Sequence, residues 1–252
     1  LVNERPVVSF DGNTMAYTER RGLESVVYVT RMEGTSWGTP VDITLEASMG
    51  TDCHTTSLNN DGTELYLFKN DNYDGNIYVT RYTDGKWSHI EKLNKNINTK
   101  FYESHAAISS DGKKLYFTSN REGSLGELDL WVSEKDQTGD WGVPVNLGNV
   151  VNTPYNEETP FISGDDNTLT FSSEGHGSMG GYDIFLAKLS NNQWTTPVNI
   201  GYPVSSTDDN IAFQPFDNGM QGFYSIMTGY KKKEIAHVDF NVPDEEKKDT
   251  VT

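Results

Sequence analysis

Cysteine is almost absent. Cys53 stands alone, so no internal disulfide staples the chain, and cysteine usage does not fix its redox compartment. No apolar run approaches the ~20 residues that cross a bilayer as a helix, and no long amphipathic helical stretch occurs. No secretory leader is visible. Because Leu1 opens almost directly on a strand-like run, the sequence reads as cut from a longer precursor, which leaves room for a targeting segment removed with the rest. Catalytic signatures are missing too: there is no Gly-x-Ser-x-Gly element, no zinc-protease helix and no phosphate-cradling glycine loop. Cations are scarce, with 20 Lys and Arg against 37 Asp and Glu, for a net charge of -17 over 252 residues. That imbalance disfavours nucleic acid and anionic membrane surfaces, which are themselves polyanions. It favours basic partners or cations, beside its ordinary role of solvating loops.

What is present is aromatic and strand-forming: 13 Tyr and 11 Phe, residues suited to a pleated, half-buried surface. From His105 to Gly148 an alternating run meets a turn at Asp111-Gly112. A second run follows from Leu115 to Ser119, a third from Leu128 to Glu134, and a short Val-Pro-Val-Asn-Leu-Gly segment after Trp141. Strands of this period joined by Asp-Gly and glycine-rich turns describe an antiparallel meander. One such sheet cannot cover both its faces, and the chain supplies copies. Trp37, Trp87, Trp141 and Trp194 recur at intervals of 50, 54 and 53 residues. The turns Asp11-Gly12, Asp61-Gly62, Asp111-Gly112, Asp165-Asp166 and Asn218-Gly219 recur in step. A unit of ~50 residues with four strands is a propeller blade. The expected fold is all-β, a five-bladed β-propeller over residues 1–240. Its blades fall near 4–45, 51–95, 102–149, 155–201 and 208–240, with a charged linker tail over 241–252 leading toward a further domain.

Blade five has no tryptophan and no Pro-Val-Asn segment, so it is expected to be incomplete. Closure would use an upstream strand, or a three-stranded blade five would meet blade one by side-chain packing; the second is preferred.

The residues SSDGKKLYFTSNREG, GGYDIFLAK and W-x-x-PVNIG resemble the WD40-like propeller repeat PD40 of the TolB family, over about Pro6 to Phe240. Blade one departs from it in lacking Gly-Tyr-Asp-Ile, and blade five in lacking Trp-Pro-Val. With Asn152-Thr153 following, the combination is most similar to multidomain OmpA-family outer-membrane proteins, one of which serves type IX secretion. The resemblance implies a periplasmic, outer-membrane-associated domain. It also implies tethering to peptidoglycan through a domain outside this chain, no direct membrane insertion, and envelope proteins as partners.

Candidate chemistry is sparse. The Asp-Gly turns are structural: Asp accepts backbone hydrogen bonds and Gly tolerates positive φ. The repeated tryptophans fill wedges between blades. Asp129, Asp183 and Asn76, at the starts of third strands, pin the preceding loop. The oxygen-rich loop Asp71-Asn72-Tyr73-Asp74-Gly75-Asn76 and Asp208-Asp209-Asn210 lack EF-hand spacing, which leaves Asp71, Asp74 and Asp208 as weak calcium candidates and no cofactor expected. Aligning blades on their turns places Glu4, Arg5, His54, Glu103, His105, Glu157, Glu158 and Asp209 around one channel mouth. Such a ring suits a basic peptide segment or a metal, or is simply a hydrated polar rim. Cys53 there reads as an inert small residue. The expected function is a non-catalytic protein-interaction scaffold. The alternative is a glycan-binding or glycoside-hydrolase-like propeller using paired carboxylates among Glu4, Glu103, Glu157 and Glu158.

Overall fold

The computed structural model describes residues 2–71, 74–216, 221–229 and 232–239. Asn72 and Tyr73, the Asn218-Gly219 turn and the tail from 241 to 252 lie outside the described residues, as does the side chain of Glu4. The described chain is all strand and loop, five antiparallel sheets taken in chain order around one axis: a five-bladed β-propeller. Blade one holds β1 (Val2–Val8), β2 (Thr14–Arg21), β3 (Glu24–Glu33), β4 (Ser36–Trp37) and β5 (Val41–Asp42). Blade two holds β6 (Cys53–Leu58), β7 (Glu64–Asp71), β8 (Asp74–Thr83), β9 (Lys86–Trp87) and β10 (Glu91–Lys92). Blade three is β11 (Glu103–Ile108), β12 (Lys114–Ser119), β13 (Asp129–Glu134) and β14 (Val145–Asn146). Blade four is β15 (Glu157–Ile162), β16 (Thr168–Ser173), β17 (Asp183–Ser190), β18 (Gln193–Trp194) and β19 (Val198–Asn199). Blade five has three strands among the described residues, β20 (Gln214–Phe216), β21 (Gln221–Gly229) and β22 (Lys232–Asp239).

The turns between first and second strands form as their chemistry dictates. The Asp11 carboxylate accepts from the Asn13 amide at 2.9 Å and the Ser9 hydroxyl at 2.6 Å. Asp111 does the same with Lys113 and Ser109 at 2.9 and 2.7 Å. Gly12, Gly62 and Gly112 take the left-handed conformation that follows, and in blade four Asp166 adopts it with φ 57°. At the opposite end, Asp129 accepts from the Leu125 and Gly126 amides at 2.7 and 3.0 Å, and Asp183 from the Met179 amide at 2.6 Å, pinning the glycine loops.

Three first strands pack across the three inner strands of the blade before them: β6 on blade one, β11 on blade two, β15 on blade three. β1 lies in the same way against blade five, and among the described residues no strand is exchanged between the two sheets. The tryptophans complete three of these junctions. Trp87 shares an apolar cluster with Ala16, Val29 and Ile43 of blade one, Trp141 with Tyr66, Val79 and Leu93 of blade two, and Trp194 with Tyr116, Val132 and Leu147 of blade three. A ring of this kind removes roughly 150–250 Å² from water. Trp37 is the exception, 37% exposed. The blade four–five junction is closed instead by Ile184, Val204 and Phe213, with Ile200, Tyr224 and Val238 around them.

Candidate functional site

The site lies where the first strands begin. Four of the five carry one extra residue relative to their partner strand: the register slips between Glu4 and Val7, Thr55 and Ser57, Ser104 and Ala107, and Glu158 and Phe161. Such a bulge bends the strand and re-aims a side chain. Arg5, His105, Thr159 and Ala212, at equivalent places in four blades, are left-handed with φ of 54°, 44°, 47° and 60°, a conformation costing non-glycine residues about 1–2 kcal/mol. These four, with Thr55 and Thr56, converge on the axis and leave a cavity of only about 30 Å³. That volume is about one water molecule's share of the liquid.

Above that plug sit polar and aromatic groups from several blades. His54 is buried, its Nε2 3.2 Å from the Asp52 carboxylate and 3.5 Å from both Ser25 Oγ and the Arg20 guanidinium. Phe68 lies between His54 and His105, with ring centroids 6.1 and 6.0 Å away, and Tyr102 tilts against it at 5.7 Å. From blade four, Glu158 Oε2 lies 3.6 Å from His105 Nδ1, and Tyr182 donates its hydroxyl to Glu158 at 3.4 Å. The Tyr182 amide donates to Asp209 at 3.2 Å, and Asn156 donates to Glu174 at 2.7 Å.

Burial, then Arg5 and His54, hold the His105 imidazole well below its ordinary range, so it is neutral at pH 7. The His105–Glu158 approach is therefore a contact between an imidazole and a carboxyl, not an ion pair. Burial raises the Glu158 carboxyl, and Arg5 and Tyr182 pull against it. Burial and then Glu158 raise the Tyr102 and Tyr182 phenols.

Glu103 and Glu157, expected at the mouth, are not brought to it. Both are fully buried one residue away, on the opposite side of the strand, and each clamps the loop that enters its blade. Glu103 accepts from the Thr99 amide and hydroxyl at 2.8 and 2.7 Å, from Ser119 at 3.0 Å and from Arg121 at 3.2 Å. Glu157 accepts from the Thr153 amide and hydroxyl at 2.8 and 2.6 Å and from Ser173 at 2.8 Å. Asn210 repeats the clamp in blade five on the Ser206 amide at 2.6 Å. In blade two the place belongs to Cys53, buried in the apolar cluster that includes Met49, where desolvation pushes its thiol up to about 12.

Arg5, His54, His105, Glu158 and Asp209 are thus brought to one end of the axis. Among the described residues no three of His, Cys, Asp and Glu form a group able to hold a metal ion. Asp71 is engaged by Lys69 at 3.5 Å and by the Tyr78 hydroxyl, while Asp74 and Asp208 are exposed. The aromatic and flanking contributors, Phe68, Tyr102, Tyr182, Asp52 and Glu174, were not singled out from sequence. Two of them stand where the repeat breaks: Phe68 occupies the place of Thr118 and Ser172, and Tyr102 that of Asp52 and Asn156.

No protein-family model matches the sequence, and no curated protein matches it. Solved structures do. TolB from Acinetobacter baumannii aligns with 94% of this chain at 14% identity and a TM-score of 0.59, a putative TolB from Agrobacterium tumefaciens with 96% at 17% and 0.58. A thermostable family-43 glycoside hydrolase aligns with 96% of the chain at 14% identity and a TM-score of 0.62. The fold is a TolB-like β-propeller. The aligned region is 52% of the Acinetobacter TolB chain, 72% of the Agrobacterium chain and 90% of the hydrolase, so the chain spans about half the length of the first. At these identities the likeness is one of fold, which scaffolds and enzymes share.

Proposed function

We propose that this chain is a non-catalytic protein-interaction scaffold whose partner-binding surface is the mouth built by Arg5, Asp52, His54, Tyr102, Glu158, Tyr182 and Asp209. The observation that carries the reading is the combination of a cavity of only about 30 Å³ between the first strands with aromatic and charged groups from all five blades gathered above it. A shallow surface mixing tyrosines with both signs of charge suits a protein segment, since tyrosine anchors and charge complementarity dominate such contacts. The PD40 resemblance supports placing the domain in the periplasm beside the outer membrane, in an OmpA-family protein tethered to peptidoglycan by a further domain, with type IX secretion as the process served. The test is capture from an envelope extract. The wild-type chain is expected to retain a reproducible protein that an Asp52→Lys/Asp209→Lys double variant loses and a Lys113→Glu variant keeps. Equal capture by all three removes the mouth from the reading.

A second reading, a glycan-active propeller, is favoured by one observation: the raised Glu158 carboxyl with Glu174 acting on it. Paired carboxylates are what glycoside hydrolysis uses. A saturable thermal shift with an oligosaccharide panel, abolished by Glu158→Gln, would select it over the scaffold.

A further inference from the structure

A cavity of about 600 Å³ lies where blades four and five meet, with Val8 to Gly12 of blade one completing its wall, away from the mouth, and within the roughly 300–1,000 Å³ of ligand pockets. Its wall contains Thr170, Leu186 and Ile200. These stand at the repeat positions that hold a tryptophan in the other junctions: Ala16, Val29 and Ile43 under Trp87, Tyr66, Val79 and Leu93 under Trp141, Tyr116, Val132 and Leu147 under Trp194. Tyr116 meets the Trp194 ring edge-on, centroids 6.4 Å apart. Each tryptophan comes from the following blade, and blade five has none. Among the described residues the same blade lacks the strand that pairs the third strand elsewhere, as Val198–Asn199 pairs Leu186 and Phe185. Among the described residues β22 has no strand on its outer edge.

We propose that this cavity is a socket for a tryptophan carried by an extended Trp-x-x-Pro-Val segment of another polypeptide. The indole seats on Thr170, Leu186 and Ile200, and the Pro-Val pair adds to β22 near Val238 as a fourth strand. Charge selects the occupant further. Asp11 and Asp165 line the cavity against one amine, Lys188, on a chain of net charge -17. A basic residue beside the tryptophan, as in Lys86-Trp87, therefore completes the fit.

The probe is a labelled peptide with the sequence of residues 191–201, which carries Trp194 and Pro197-Val198, titrated into the full chain by fluorescence anisotropy. Saturable binding is expected. It weakens at least about tenfold when the peptide tryptophan becomes alanine, and tightens, in a salt-sensitive way, when lysine replaces the residue before it. Leu186→Trp, which fills the socket from within, is expected to abolish binding while circular dichroism stays that of the wild type. If that variant does not fold, fluorine NMR of a fluorotryptophan peptide is the second readout, with a shifted, broadened resonance on the wild-type chain. Absence of binding at millimolar peptide, indifference to the tryptophan, or binding that appears only after removal of residues 241–252 would overturn the proposal. The last result would mean that the chain fills its own socket.

Discussion

At the residue scale, two groups make sharp predictions. The folded chain keeps His105 neutral far below the pH at which the unfolded chain protonates it. The unfolded state thus binds the extra proton, and stability falls as pH drops below the ordinary histidine value of 6.5, by about 1.4 kcal/mol per pH unit. His105→Gln removes that contribution, so its stability between pH 6.5 and 5 should be flatter than the wild type's in urea titrations at each pH. An unchanged slope would show that His105 titrates normally. Cys53, with its thiol pushed up to about 12, should resist a disulfide reagent at pH 8 in the native chain and react fully in denaturant. Fast native labelling would contradict its buried place. The inertness of Cys53 was legible from sequence. The division of labour between Glu157 and Glu158 was not, because strand parity sends neighbouring side chains to opposite sides and the bulge two residues on is silent in the sequence.

At the element scale, the repeat carried most of the information. Periodic turns marked every blade and tryptophans the first four, since a tight turn and a wedge-filling ring are local solutions to local problems. The clamps were hidden because they link residues of different type: Glu103, Glu157 and Asn210 perform one task, each closing the loop four residues upstream. The clamps also differ in cost. Glu103 neutralises Arg121, which donates to the Asn96 and Ile97 carbonyls at 2.9 and 2.6 Å and lies over Phe117. Glu103→Ala strands that buried cation and should cost about 3–5 kcal/mol. Glu157→Ala, which leaves only hydroxyls and an amide unpaired, should cost about 1–3 kcal/mol. Urea midpoints of the two variants give the ordering; a larger loss at Glu157 would contradict it.

At the scale of the whole molecule, five sheets lean on one another around an axis that their own bulges close. Closure without strand exchange leaves blade five with three described strands, so the same sequence shortfall that marks the last blade also opens the cavity beside it. The ring was readable from spacing alone. The mouth was readable only in part, because Phe68 and Tyr102 come from a second strand and a loop where the repeat is broken rather than kept. Binding through that mouth is most directly tested by a photo-crosslinking amino acid placed once at Tyr182, on the mouth, and once at Lys113, on the turn at the other end of a first strand. With envelope extract, the Tyr182 probe should yield a discrete cross-linked protein that the Lys113 probe does not. Cross-linking at Lys113 alone, or at neither position, would contradict a partner surface at the mouth.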